Sequence, residues 1–123
     1  MSEYILVADD REGIRALLKT LLDDLGYQVQ TVSNGCEAVE LIQKETPQLV
    51  LMDLKMPELD GIQVMEAIRA EHPELPVILI TGYMQDRQIQ DALSKGLVQE
   101  VVFKPFDILE IGRKVERLLQ KKT

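Results

Sequence analysis

Five short apolar runs alternate along the chain with stretches whose apolar residues recur at helical spacing. The runs are Tyr4 to Ala8, Leu49 to Met52, Val77 to Ile80 and Val101 to Phe103, together with Gln28 to Val32. Four of them are almost wholly apolar, the pattern of parallel strands covered on both faces. Gln28-Val29-Gln30-Thr31-Val32 alternates instead, which suits a strand at or near a sheet edge. Between the runs, Ile14, Leu17, Leu18, Leu21, Leu22 and Leu25 form one amphipathic stripe, and Gly26 follows where a left-handed cap would sit. Ala38, Leu41 and Ile42 mark a second helix that ends before Pro47, and Val64, Met65 and Ile68 a third that ends before Pro73. Ile89, Ala92 and Leu93 mark a short fourth helix closed by Gly96. Ile108, Ile111, Val115, Leu118 and Leu119 mark the fifth, in which Gly112 is a local weakness of about 1 kcal/mol relative to alanine.

The order is (βα)5, and right-handed crossovers then require a doubly wound parallel sheet with helices on both faces. The length of 123 residues allows one domain, which would bury about two-thirds of its unfolded surface. Apolar residues make up 46% and charged residues 28%, an ordinary balance for a folded soluble chain. No apolar run approaches the roughly 20 residues needed to cross a bilayer, and no secretory signal is visible, so no membrane partner is expected. Cys36 is the single cysteine, so no internal disulfide can form, and the cytoplasm is the expected compartment. The net charge of −7 argues against direct nucleic-acid binding, and Lys121 and Lys122 are too few to alter that.

In open α/β sheets, ligands bind beyond the carboxyl ends of the strands. The first run is followed by Asp9-Asp10, the third by Asp53, the fourth by Thr81-Gly82 and the fifth by Lys104-Pro105. The second leads into Ser33-Asn34-Gly35, which reads as a plain turn. Three carboxylates, a hydroxyl and an ammonium thus converge. Two unit charges about 4 Å apart repel by about 4 kcal/mol at an effective dielectric near 20, so the carboxylates call for a cation. A hard divalent ion with oxygen ligands, Mg²⁺ above all, suits them. With Lys104 and Thr81, it would neutralise a phosphoryl group on a carboxylate. Taken singly these residues mean less: Asp9 or Asp10 would serve as a helix cap, Thr81-Gly82 as a turn. Asp53 stands apart, because an acid among apolar strand residues is costly unless paired.

The segments Val7-Ala8-Asp9-Asp10, Met52-Asp53-Leu54-Lys55-Met56-Pro57, Asp60-Gly61, Thr81-Gly82 and Lys104-Pro105-Phe106 form a specific set at these spacings. With them, the whole chain, residues 1–123, resembles the receiver domain of bacterial two-component response regulators. The resemblance implies a flavodoxin-like sheet of strand order 2-1-3-4-5 and a phosphorelay function. By it, Asp53 accepts a phosphoryl group from a phosphohistidine on a sensor histidine kinase or histidine phosphotransfer protein. Asp10, Asp53 and the Lys55 backbone carbonyl would bind Mg²⁺ directly, and Asp9 through water. Thr81 would hydrogen-bond the phosphoryl oxygen, Lys104 would pair with it, and the Lys104-Pro105 peptide would be cis. Such a domain is no enzyme beyond its own phosphorylation and dephosphorylation, and it signals by binding a downstream protein target.

The chain departs from the family's pattern in two places, and two further positions are ones that tune phosphoryl lifetime in the family. Val101 stands where a switch aromatic usually lies, three residues before the strand-5 lysine, while Phe103 reads as ordinary core. The segment from Gly96 to Lys104 is one residue longer than usual. Lys55 and Tyr83, two past the acceptor and two past the threonine, are both bulky, which would hinder water and slow dephosphorylation. Switching is then expected to be weak or to run mainly through the loop from Thr81 to Asp86. Gly13-Ile14-Arg15 and Lys104-Pro105-Phe106-Asp107-Ile108 are closer to single-domain regulators of the sporulation-relay type than to the chemotaxis type. Ile14 is a candidate for docking a histidine-bearing helix bundle, and equally a member of the core stripe.

Other readings stay open. A phosphatase using an aspartyl phosphate would need a second acid at position 55, where the chain has lysine. A flavodoxin-like carrier would meet repulsion from Asp9-Asp10-Arg11-Glu12 at the flavin phosphate. An interaction module with a relic site would not need the polar set intact.

Overall fold

The computed structural model describes residues 3–82 and 87–120. The elements run β1 (Tyr4–Ala8), α1 (Glu12–Asp24), β2 (Gln28–Val32), α2 (Gly35–Lys44), β3 (Leu49–Asp53), α3 (Gly61–Ile68), β4 (Val77–Thr81), α4 (Arg87–Ser94), β5 (Glu100–Phe103) and α5 (Ile108–Gln120). All strand pairs are parallel, in the order β2-β1-β3-β4-β5. The expected doubly wound, flavodoxin-like sheet is therefore what forms, with the alternating strand β2 at one edge. Among the described residues no helix is long and apolar enough to cross a membrane.

Strand alternation sends side chains into two separate cores. Leu6, Ala8, Val50, Met52 and Leu79 meet α2, α3 and α4 on one face. Ile5, Val7, Leu51, Ile78 and Val102 meet α1 and α5 on the other. Every residue of β1, β3 and β4 is buried, which is why these runs lack polar alternation. The α1 stripe is wider than the face it buries: Leu18 and Leu22 are buried, whereas Leu17 and Leu25 are exposed. Ile14 is half-buried and packs against the α1/α5 core, so it belongs to the stripe while keeping part of its surface open.

The segment Ser33-Asn34-Gly35 is more than a turn. The Asn34 side chain accepts the Glu37 N–H at 2.8 Å and caps α2. A Cβ at Gly35 would lie 2.2 Å from the Leu59 carbonyl oxygen, so only glycine lets α2 start against the β3–α3 loop. Asp60 opens α3 with a full capping box to Gln63. Gly26 and Gly96 adopt positive φ, +94° and +74°, as helix-terminating glycines do.

Candidate functional site

The carboxyl ends of the central strands bring the polar residues together. Asp9 directly follows β1, with its N–H bonded to the Val32 carbonyl at 3.2 Å, and is 1% exposed. It does not cap α1, whose N-cap is Arg11 and which has no side-chain cap. Asp9 Oδ1 instead accepts the Arg11 backbone N–H at 2.9 Å and Arg11 Nε at 3.4 Å. Arg15 donates to the Asp9 backbone carbonyl at 2.9 Å. Asp10 is exposed beside it.

Asp53 is the last residue of β3, paired in register with Ile80 and only 4% exposed. Lys104 Nζ donates to Asp53 Oδ1 at 3.0 Å. The backbone helps set that contact, because Lys104 N–H is bonded to the Thr81 carbonyl at 2.8 Å. The Lys104-Pro105 peptide is cis, as the resemblance implies. Thr81 ends β4 and is buried. Asp10, Arg11, Asp53, Lys55, Thr81, Gly82 and Lys104 line one open cavity of about 500 Å³. A larger hollow of about 710 Å³ lies at the opposite end of the sheet, between Tyr4, Tyr27, Gln28 and Gln48, with no such convergence of charge.

One carboxylate oxygen from each of Asp9, Asp10 and Asp53 lies within 4.8 Å of the others. At that spacing each pair repels by about 3–4 kcal/mol at an effective dielectric of 20. Burial pushes the Asp53 carboxyl above its ordinary value, and the Asp9 charge adds to the rise, while Lys104 and Arg11 oppose it. Asp9 Oδ2 is buried and has no hydrogen-bond partner among the described residues. A buried carboxylate oxygen left bare beside two more carboxylates fits a hard divalent cation, which takes oxygen ligands and cancels their charge.

A family model for the response regulator receiver domain matches residues 5–116. The chain belongs to the response regulator receiver domain family. Over its full length, this receiver domain is 37% identical to sporulation initiation phosphotransferase F of Bacillus subtilis, spanning 98% of that protein. It is 36% identical over 121 residues to the transcriptional regulatory protein SrrA of Staphylococcus aureus, there covering 98% of this chain and 49% of that one. Among solved structures, a CheY-like receiver domain protein from Methanospirillum hungatei superposes with a TM-score of 0.90 at 25% identity, covering 99% of this chain and 98% of that one. The Francisella response regulator 1452 receiver domain superposes with a TM-score of 0.88 at 27% identity, covering 99% and 100%.

In this receiver domain Val101 pairs with Leu79 and Phe103 with Thr81. Both are half-buried against the α2–α4 core, as expected of Phe103. Lys55 is exposed at the cavity. Tyr83 and most of the loop to Asp86 lie outside the described residues. Arg11 and Arg15 reach Asp9, a contact that the sequence does not foretell. Their only signal was a positive charge one and five residues beyond the Asp pair, on a helix start where negative charge is the usual preference.

Proposed function

We propose that Asp53 accepts a phosphoryl group from a phosphohistidine on a sensor histidine kinase or histidine phosphotransfer protein. The observation behind this reading is a buried carboxylate held 3.0 Å from Lys104 Nζ, at the mouth of a cavity shared with Thr81. An Asp53 carboxylate oxygen attacks the phosphorus. The O–P bond forms, the N–P bond breaks, and the imidazole nitrogen keeps the electron pair. The Lys104 ammonium, already placed beside the acceptor, shifts its hydrogen bond to a phosphoryl oxygen. The Thr81 hydroxyl donates to another.

Asp10, Asp53 and the Lys55 backbone carbonyl would hold Mg²⁺ directly, with Asp9 acting through water. When bound, the ion supplies the positive charge that the three carboxylates and the incoming phosphoryl oxygens require. The domain catalyses only its own phosphorylation and dephosphorylation, and it signals in the cytoplasm by binding a downstream protein. The 37% identity to a phosphotransferase of sporulation initiation supports a relay role. Lys55, exposed at the cavity, slows the approach of water to the phosphorus. Phosphate loss within seconds in the presence of Mg²⁺ would contradict that slowing, and Lys55→Ala is expected to speed the loss.

Incubation with acetyl phosphate and Mg²⁺, followed by intact mass measurement, tests the reading. A phosphate-sized gain that disappears in Asp53→Asn is expected. No gain, together with no binding of a beryllofluoride mimic, would favour an interaction module that works without phosphorylation. Turnover of ordinary phosphate esters would favour a phosphatase.

A further inference from the structure

We propose that the Arg11 side chain is an internal competitor of the divalent cation and sets the affinity of the acidic cluster for Mg²⁺. The inference rests on the metal reading above and adds a regulator to that site. Asp9 is 1% exposed, and the ion pair described for its carboxylate is the one to Arg11 Nε, at 3.4 Å. Two parts of one residue therefore act on Asp9 Oδ1. The Arg11 backbone N–H, at 2.9 Å, orients the carboxylate. The guanidinium adds charge.

These contributions separate cleanly, because the N–H survives every substitution at position 11 except proline. Removing the guanidinium leaves Asp9 aimed as before, with its bare Oδ2 unchanged, and removes a positive charge from the cavity wall. Around the cavity, the charges of Arg11, Lys55 and Lys104 already match those of the three carboxylates. A dication overshoots that balance while these cations remain in place. Lys104 is tied to Asp53, whereas the Arg11 side chain is 48% exposed and can leave for solvent without opening the core. Arg11 is thus the group that yields. Its partial exposure limits the effect to a few-fold in affinity rather than orders of magnitude. Arg15 provides the contrast, since it bonds the Asp9 carbonyl and leaves the carboxylate alone.

Mg²⁺ titration by calorimetry of the wild type and of Arg11→Gln, Arg11→Lys and Arg15→Gln tests this, alongside metal-free melting temperatures. Arg11→Gln is expected to tighten Mg²⁺ binding by about three- to tenfold. Its metal-free melting temperature should fall, and its rise on adding Mg²⁺ should exceed that of the wild type. Arg11→Lys should remain within about twofold of wild-type affinity, because a single contact at 3.4 Å asks for a charge and not for a bidentate fork. Unchanged or weaker binding by Arg11→Gln would overturn the inference while leaving the metal reading intact. Equal tightening by Arg15→Gln would also overturn it, by showing a general charge effect. No binding to the wild type at millimolar Mg²⁺ would overturn both.

Discussion

The two ends of the same parallel sheet treat their polar groups in opposite ways. At the amino end, side chains tie down the backbone where strands begin. Gln99 accepts the Val77 N–H at 2.8 Å and returns its own N–H to the Val77 carbonyl at 3.0 Å. The Tyr4 hydroxyl donates to the Glu45 carbonyl. The Arg69 guanidinium donates to the carbonyls of His72, Leu75 and Leu97 at 2.6–2.9 Å, linking the end of α3 to the starts of β4 and β5. Among the described residues, one orphan sits at each end, Arg69 Nε and Asp9 Oδ2. The first belongs to a cation already bonded to three carbonyls. The second belongs to an anion facing two other anions. The amino end is built for stability. The carboxyl end gives up some stability to keep a charged site ready.

Breaking the amino end should therefore cost most. Arg69→Met removes the donors to three carbonyls and should destabilise the domain by about 2–4 kcal/mol, read from the urea midpoint. A loss below about 0.5 kcal/mol would mean that water replaces the guanidinium and that the amino end is not specially tied.

At the carboxyl end, a ligand should stabilise the native state. A tenfold excess of Mg²⁺ over its Kd adds about 1.4 kcal/mol, on the order of 5 °C in melting temperature for a domain of this size. Ca²⁺-free buffers with and without Mg²⁺ suffice for the comparison, and no shift would count against the site.

A smaller and more pointed effect is expected at Asp53. Burial and Asp9 raise its carboxyl in the folded protein above the unfolded value. In the window between those values, the native state binds more protons than the unfolded state. The group's contribution therefore falls as pH rises through that window and stays flat above it. Metal-free Asp53→Asn should be more stable than the wild type at neutral pH, by on the order of 1 kcal/mol, as relief of repulsion outweighs the lost Lys104 pair. That advantage should shrink as pH is lowered through the window. A destabilised Asn variant would show that the Lys104 pair dominates and that the carboxyl end is not under strain.

Much of this contrast was legible in the residues themselves. Apolar runs at Tyr4 to Ala8 and Gln28 to Val32 coincide with β1 and β2, because burial on two faces and at an edge leave different patterns. The carboxyl-end acids stood out because charge is rare beside such runs. Contacts between distant segments were harder to see. Gly35 looked like a turn because nothing local reveals that Leu59 presses against it. Leu17 and Leu25 looked like core because helical periodicity reports which side is apolar, not how far the neighbouring helix reaches. The Arg11 contact is hidden because sequence spacing does not show which side chains reach the Asp9 carboxylate.

The most direct test of the central claim is to locate the phosphoryl group chemically. Borohydride reduction of the phosphorylated protein converts an acyl-phosphate aspartate to homoserine, which peptide mass mapping places in the sequence. Homoserine at position 53, and at no other aspartate, is the predicted result. Homoserine at Asp9 or Asp10, or none in protein whose intact mass shows the phosphate, would contradict the account.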